Sequence, residues 1–345
     1  MYDFVDEHGI LVHQYGPHTF HTNDKQLMDF MNLFGEWIPY RLTCGAEING
    51  KCTPTPFNFQ TVDDFFDEKT ATEIKEKFVK AFPGRKIVTV VEALNSSEPV
   101  IRQYAQFLFD NDYSLYTAKQ WGVSASEIDP SVLKRVPLRL GYEVGYFDDT
   151  YQVMPKISYT AFFEQLFHHP NITVKLGVDA LECISLCDET GRVSVNGDKD
   201  AIVVYTGPLD CLLSLKYGAL PYRSLRFEWH YEPIDSKQDM PVVAYPQAEG
   251  YTRIVEYKKL PVQAVKGTSY EVEYSLPFVA GQTQEPYYPV LTEESQEQYW
   301  RYAAEAKKFS NLFLCGRLAE FQYFNMDQAL AHALSTAENI LNHGF

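Results

Sequence analysis

The apolar positions of this chain change period along its length. Between Thr61 and about Lys134 they recur at helical spacing: Ile74 and Phe78 are i, i+4 partners, and Val100, Ile101, Tyr104, Phe107 and Leu108 form one stripe. That spacing predicts a helical subdomain, in which Thr61-Val62-Asp63-Asp64 is set out like a capping box with Asp replacing the usual Glu. From Tyr151 to Phe278 strand patterns dominate. The run Ala201-Ile202-Val203-Val204-Tyr205 is continuously apolar and ends at Thr206-Gly207-Pro208, as a buried parallel strand and its turn would. Tyr251–Tyr257 and Thr268–Tyr274 alternate, which suits an antiparallel sheet. Leu312-Phe313-Leu314 predicts a second short buried strand. It leads through Gly316 into a helix from about Met326 to Leu341, with Leu330, Ala333, Leu334, Ala337 and Leu341 on one face. Nearer the N-terminus, residues 10–15 predict a short strand. Asn23 is the expected N-cap of a helix carrying Leu27, Phe30, Met31 and Phe34, and residues 47–53 predict a hairpin around Asn49-Gly50.

Composition narrows the function classes. A chain of 345 residues with 45% hydrophobic positions has enough apolar material for a substantial core, in one large or two to three ordinary domains. The net charge of −16 argues against a polyanion-binding surface and predicts no nucleic-acid partner. Any phosphate-bearing ligand must then be held by local basic residues, which singles out Arg135, Arg139, Arg253 and Arg317. The six cysteines include no C-x-x-C and no Cys/His cluster at zinc spacing, so no metal is expected, and reduced thiols in a cytoplasmic protein are. The acidic start Met1–Glu7 lacks the apolar region of a signal peptide, and no apolar run reaches the roughly 20 residues of a membrane span.

Candidate chemistry concentrates in three short segments that mix Gly, aromatic and polar residues without core periodicity. They are Tyr15-Gly16-Pro17-His18-Thr19-Phe20-His21-Thr22-Asn23, Tyr116-Thr117-Ala118-Lys119-Gln120-Trp121-Gly122 and Cys315-Gly316-Arg317-Leu318-Ala319-Glu320-Phe321. Gly16 lets backbone approach a ligand closely, and Pro17 stiffens the turn. His18 can then bond a group above it through either nitrogen, or it is simply a satisfied turn histidine. Trp121 can stack on a pyrimidine or a sugar with Tyr116 adding an edge or a hydroxyl, the alternative being a core tryptophan. Arg135 and Arg139 flank Pro137, and their planar forks suit a diphosphate. The strand–Gly–helix passage at Gly316 ends in a helix N-terminus that favours negative charge by about 0.3–1 kcal/mol, with Arg317 and Asn325 beside it. No Gly-x-Gly, Gly-x-Ser-x-Gly, P-loop or His-Glu-x-x-His occurs in the sequence.

In this order the three segments resemble the UDP-galactopyranose mutase family, flavoenzymes that contract the galactose ring of UDP-galactose. The resemblance runs from about Val5 to Leu341. It implies a mixed α/β (α+β) fold. An FAD-linked Rossmann-like domain, incomplete here, would comprise residues 1–37, 172–212 and 300–345. A helical substrate subdomain would span 60–135, and an antiparallel sheet domain 38–59, 136–171 and 213–299. It implies an isomerase that interconverts UDP-galactopyranose and UDP-galactofuranose through a covalent adduct between the sugar and N5 of reduced FAD, in a bacterial cytoplasm, for cell-surface polysaccharide. By the same resemblance His18, Thr19, Gly316, Arg317, Asn325, Met326, Asp327 and Gln328 would contact FAD. Tyr116, Thr117 and Trp121 would line the uridine side of the cleft. Arg139, on a mobile loop with Arg135, would close on the diphosphate, and Asn58, Tyr151, Arg253, Tyr288 and Tyr323 would complete the substrate site. His18, Arg139 and Arg253 are the expected catalytic residues, UDP-galactose the expected small-molecule partner, and a homodimer the expected assembly, with no membrane association.

The sequence also departs from that family. Its members open with a strand, a Gly-x-Gly-x-x-Gly turn and a helix, for which these residues have no counterpart, so weak or absent FAD binding is expected. Asn325 stands where many members carry Asp, and Val272 where a basic residue often precedes Glu-Tyr. Two alternatives therefore stand beside an active mutase. One is a truncated, non-catalytic nucleotide-sugar-binding remnant; the other is an amine-oxidase-like flavin oxidoreductase.

Overall fold

A computed structural model describes residues 1–122, 137–279 and 284–343, and the chain forms two compact units. The first comprises Met1–Asn23, Glu36–Phe162 and Arg226–Leu276. Its sheet runs in the order Tyr222–Glu232, Thr268–Pro277, Tyr251–Glu256, Val242–Ala244, Cys44–Ile48, Lys51–Thr55, the first residues of strand Tyr222–Glu232 belonging to the second unit. Tyr251–Glu256 and Thr268–Pro277 are antiparallel, as their alternation predicts. Val242–Ala244 and Cys44–Ile48 are parallel, so the sheet is mixed. Asn49 and Gly50 both take positive φ, 52° and 77°, as a tight two-residue hairpin loop requires, and this places Ile48 opposite Lys51.

Helices cover one part of this unit. Phe59–Phe65 begins one turn earlier than the Thr61 capping box would place it. Asn58 is the N-cap, its Oδ1 accepting from Gln60 N–H at 2.8 Å, and Thr61 sits at the third helical position, where its hydroxyl accepts from Asn58 N–H. Glu68–Ala81 is capped by Asp67, and Pro99–Leu108 runs through a π-helical turn, Phe109–Tyr113, into Ser114–Trp121. The predicted stripes meet in one core: Ile74, Phe78, Ile101, Tyr104 and Leu108 are buried together with Phe57, Val62, Val88 and, from the sheet, Ala46 and Ile48. Separately, Asp3–Val5 pairs with Leu11–His13, and Phe20–Thr22 with Tyr151–Pro155.

The second unit comprises Asp24–Gly35, Phe163–Leu225 and the chain from Pro277. Val203–Tyr205 and Leu312–Leu314 form the predicted parallel pair, with Val203 opposite Leu312. The burial is alternate, not continuous, because Val203 and Tyr205 are buried while Val204 is half exposed, and Ile202 precedes the strand. The core gathers Tyr205, Leu209, Leu220, Tyr222, Tyr302, Phe309 and Phe321 beside helix Glu293–Ala306. Helix Lys25–Asn32 is capped by Asp24, not Asn23, whose side chain instead bonds Asp149 and Thr150 within the first unit. Helix Met326–His343 forms where expected, but its apolar face is not buried throughout: Ala333 and Ala337 are exposed, and Leu341 is 80% exposed. No helix among the described residues is long and apolar enough to cross a membrane.

Candidate functional site

The predicted site residues fall in both units, and each group is built from its own neighbours. In the first unit, strand Leu11–His13 feeds the turn Gly16–His18. Gly16 has φ +86°, and a Cβ there would stand 3.6 Å from the Phe227 ring and 3.9 Å from Arg253 Nη2. His18 Nδ1 lies 2.7 Å from Gly16 O. A carbonyl only accepts, so this nitrogen carries the proton, and in the neutral ring Nε2 keeps the lone pair. Thr19 is half-buried beside it. The backbone N–H of His18 donates to His13 Nδ1 at 3.1 Å.

Arg253 lies on strand Tyr251–Glu256. Its Nε and Nη2 both donate to Glu273 Oε2, at 2.9 and 2.6 Å, and Glu273 is almost fully buried. Burial, then the neighbouring Glu273 charge, holds the carboxyl of Glu271 well above the usual range. A permanently charged guanidinium is therefore fixed beside the histidine turn by the Glu273 carboxyl group.

Arg139 is only 5% exposed. It sits in the short strand Leu138–Arg139 opposite Ile87, its N–H donates to Phe57 O at 2.8 Å, and Nη2 donates to Asp148 Oδ1 at 2.8 Å. Its Nε is buried without an acceptor among the described residues. The structure thus has this arginine anchored in a strand, where the family resemblance implies a mobile loop. Arg135 lies outside the described residues, as does the side chain of Trp121. Asn58, nearly fully buried, caps its helix and donates from Nδ2 to Glu143 O at 3.2 Å. Tyr151 is half-buried on the strand that pairs with Phe20–Thr22.

Helix Ser114–Trp121 carries Tyr116, half-buried, and Thr117, buried. Two contacts fix it. Lys119 Nζ donates to three carbonyls, Tyr245 O at 2.5 Å, Ala248 O at 2.8 Å and Tyr251 O at 2.8 Å. Ser275 Oγ donates to Gln120 O at 2.6 Å. Burial pushes Lys119 down to about 8 and Asp112, in the preceding π turn, up to about 7.

In the second unit, Arg317 is embraced by aromatic rings. Its guanidinium lies 4.6 Å from the Tyr323 ring and 5.4 Å from the Tyr288 ring, and those rings stack at 5.8 Å. It also donates to Tyr287 O and Phe324 O. Gly316, at φ +95°, precedes it, and its N–H donates to Glu320 Oε2 at 2.7 Å. Asn325 N–H donates to Gln328 Oε1 at 2.8 Å, closing the first turn of the helix that Met326 begins, and Asp327 Oδ1 is buried without a partner among the described residues. The structure thus brings Arg317, Tyr288 and Tyr323 together in this unit, and in the other sets Arg253 beside Gly16 of the histidine turn. Sequence reasoning missed His13, Asp148, Asp112 and the partnership of Glu273 with Arg253. None of them stands out in its own segment, because each role depends on a partner that the fold selects, such as His18 for His13, Arg139 for Asp148 and Arg253 for Glu273.

The family profile described as UDP-galactopyranose mutase matches residues 112–323. The UDP-galactopyranose mutase of Mycoplasma pneumoniae is 36% identical over 99% of this chain and 86% of its own length. The chain belongs to the UDP-galactopyranose mutase family. Membership places it among enzymes. A second relative, the dTDP-fucopyranose mutase of Escherichia coli, is 31% identical over 98% of this chain and 87% of its own length. The fold agrees with a crystal structure of reduced UDP-galactopyranose mutase at a TM-score of 0.67, with 14% identity over 99% of this chain and 86% of that one.

Proposed function

We propose that this chain interconverts UDP-galactopyranose and UDP-galactofuranose with reduced FAD as cofactor. The observation that carries the reading is the 36% identity to a UDP-galactopyranose mutase across 86% of that enzyme. The residues fit a flavin nucleotide. Gly16 leaves the histidine turn bare of a side chain, a Cβ at Gly316 would meet nothing within 4 Å, and helix Met326–His343 starts nearby in sequence with amide donors suited to phosphate. We assign His18, Thr19, Gly316, Arg317 and Asn325 to Gln328 to holding it. The nucleophilic chemistry at the anomeric carbon is what reduced FAD supplies when bound, through N5.

This chain's own residues bind, orient and stabilise charge. His18 offers Nε2 as an acceptor because Gly16 O holds its Nδ1 proton. Arg253, locked by Glu273, sets a positive charge beside the histidine turn. Arg139 takes the diphosphate, with Arg135 on the same stretch. Its unpartnered buried Nε supports this, since an unmet buried donor costs about 1–3 kcal/mol that an anion would relieve. Tyr116, Thr117 and Trp121 take the uridine side, and Asn58, Tyr151, Tyr288 and Tyr323 the sugar and phosphates. The same proposal includes the three-part domain division, a homodimer and a cytoplasmic setting. The test is conversion of UDP-galactofuranose under dithionite, run beside dTDP-fucopyranose, with the flavin spectrum of the purified protein recorded first. UDP-sugar turnover is expected in protein supplied with flavin, and little flavin in the protein as purified. UDP binding without turnover in flavin-supplemented protein would leave the non-catalytic reading, and turnover of the dTDP-sugar alone would overturn UDP-galactose as substrate.

A further inference from the structure

We infer that His13 is a positioning residue, held as the neutral Nε2–H tautomer, that fixes the backbone of the Gly16–His18 turn and through it the ring of His18. The inference deepens the proposed function and rests on it only where turnover is concerned. His13 Nδ1 lies 3.1 Å from the His18 amide nitrogen. An amide N–H only donates, so His13 Nδ1 must carry a lone pair, and a neutral ring then bears its proton on Nε2. That Nε2 is buried without a partner among the described residues, and the residue is 2% exposed.

Aromatic side chains pack against the ring. Tyr159 meets it edge-on at 5.7 Å and Tyr257 lies at 5.4 Å, its hydroxyl donating to His13 O. Asp3 stands directly opposite His13 in the strand pair, but its carboxylate is turned to the N–H groups of Tyr159 and Thr160, at 2.6 and 2.8 Å. His18 is a further titratable neighbour, with ring centres 6.3 Å apart. Burial pushes His13 down to about 4 against the opposing pull of Asp3, in keeping with a ring that must stay neutral. A proton on Nδ1 would set two donors face to face and release the turn. The bond from His18 Nδ1 to Gly16 O spans that same turn, so its geometry depends on the His13 acceptor.

Long-range proton–nitrogen correlation spectra of protein labelled in histidine ring nitrogens test this, alongside His13→Asn and His13→Leu. The Asn amide oxygen can replace Nδ1 as acceptor; Leu cannot. Expected are an Nε2–H signature for His13 unchanged down to pH 5, an Nδ1–H signature for His18 in wild type and His13→Asn, and a tautomer mixture for His18 in His13→Leu. Turnover should fall at least 10-fold in kcat with KM within 3-fold in His13→Leu, and recover to within 3-fold of wild type in His13→Asn. An Nδ1–H or charged His13 in wild type at neutral pH overturns the inference even if His13→Leu fails to fold, and so does an unperturbed His18 ring in a folded His13→Leu. If wild type has no turnover, the proposed function fails while the spectra still decide the role of His13.

Discussion

Lys119→Met removes one ammonium and keeps most of the apolar stem. In the native chain that ammonium is the common donor to Tyr245 O, Ala248 O and Tyr251 O, which makes the 245–251 turn and the Ser114–Trp121 helix one body. A hydrogen bond to a charged group contributes about 1.5–3 kcal/mol net, so three independent ones would suggest about 4.5–9. The three are not independent, because a single half-buried ammonium bears one desolvation cost for all of them, and that cost is what pushes Lys119 down to about 8. Tyr245 O also accepts from Ala248 N–H, so one carbonyl keeps a partner in the variant. The expected loss is therefore roughly 2–4 kcal/mol. Urea denaturation at pH 7 measures it, and calorimetry with UDP should show weaker binding as Tyr116 and Thr117 lose their anchored helix. Lys119→Arg should recover only part, since a planar fork cannot point at three carbonyls around one nitrogen. A Lys119→Met variant within about 0.5 kcal/mol of wild type would refute the reasoning and leave Ser275 as the anchor of the helix.

Gly16→Ala should cost about 1–2 kcal/mol through backbone strain at φ +86°, not through crowding, because the new Cβ meets its nearest ring atoms at 3.6 Å; Gly16→Asn should cost less, and equal losses for the two would refute this. Asp112 is raised to about 7 by burial, so its protonated form favours the fold: that contribution is present below about pH 4 and is lost as pH rises to about 7. Asp112→Asn should therefore be the more stable protein at pH 8, by at most roughly 4 kcal/mol, and a loss of stability there would contradict the assignment. Arg139→Ala should lose roughly 3–4 kcal/mol of transition-state stabilisation in mutase assays with flavin content near wild type, and Lys should rescue it only partly. Unchanged turnover would move the diphosphate role to Arg135 or Arg253.

What could be read from the sequence was local. The Ile74/Phe78 and Ile101/Tyr104/Leu108 stripes became core because an i, i+4 pattern needs no knowledge of the partner. The Asn49-Gly50 hairpin formed because its residues alone tolerate the required φ. Cap positions were read one residue or one turn off for a physical reason. Asn23 and Asp24 are equally good caps in isolation, and Asp149 and Thr150, more than a hundred residues later, take the Asn23 side chain. Thr61 looks like an N-cap, yet it answers Asn58 from within the box. Arg139, expected on a loop, is held in a strand by Ile87 and Phe57, neither of which its own segment reveals.

The Arg253 site shows most directly why pairing lay beyond the sequence. Val272 looks like a missing cation, since a basic residue is expected before Glu273-Tyr274. Strand Tyr251–Glu256 opens with Tyr251 opposite Tyr274, and a regular antiparallel ladder from there would set Arg253 opposite Val272. The register shifts between Tyr251 and Arg253, so Arg253 faces Glu273 and Val272 faces Ile254 instead. One extra residue in the bulge therefore exchanges an apolar neighbour for a carboxylate. Side chains two apart share a face, so Glu271 lies on the same side as Glu273, and its raised pKa follows from burial beside that charge. A basic side chain at position 272 would lie on the face opposite this carboxylate pair. The bulge, not the identity of residue 272, decides which charge reaches Arg253, and a bulge of this kind leaves no signal in the strand's own alternation.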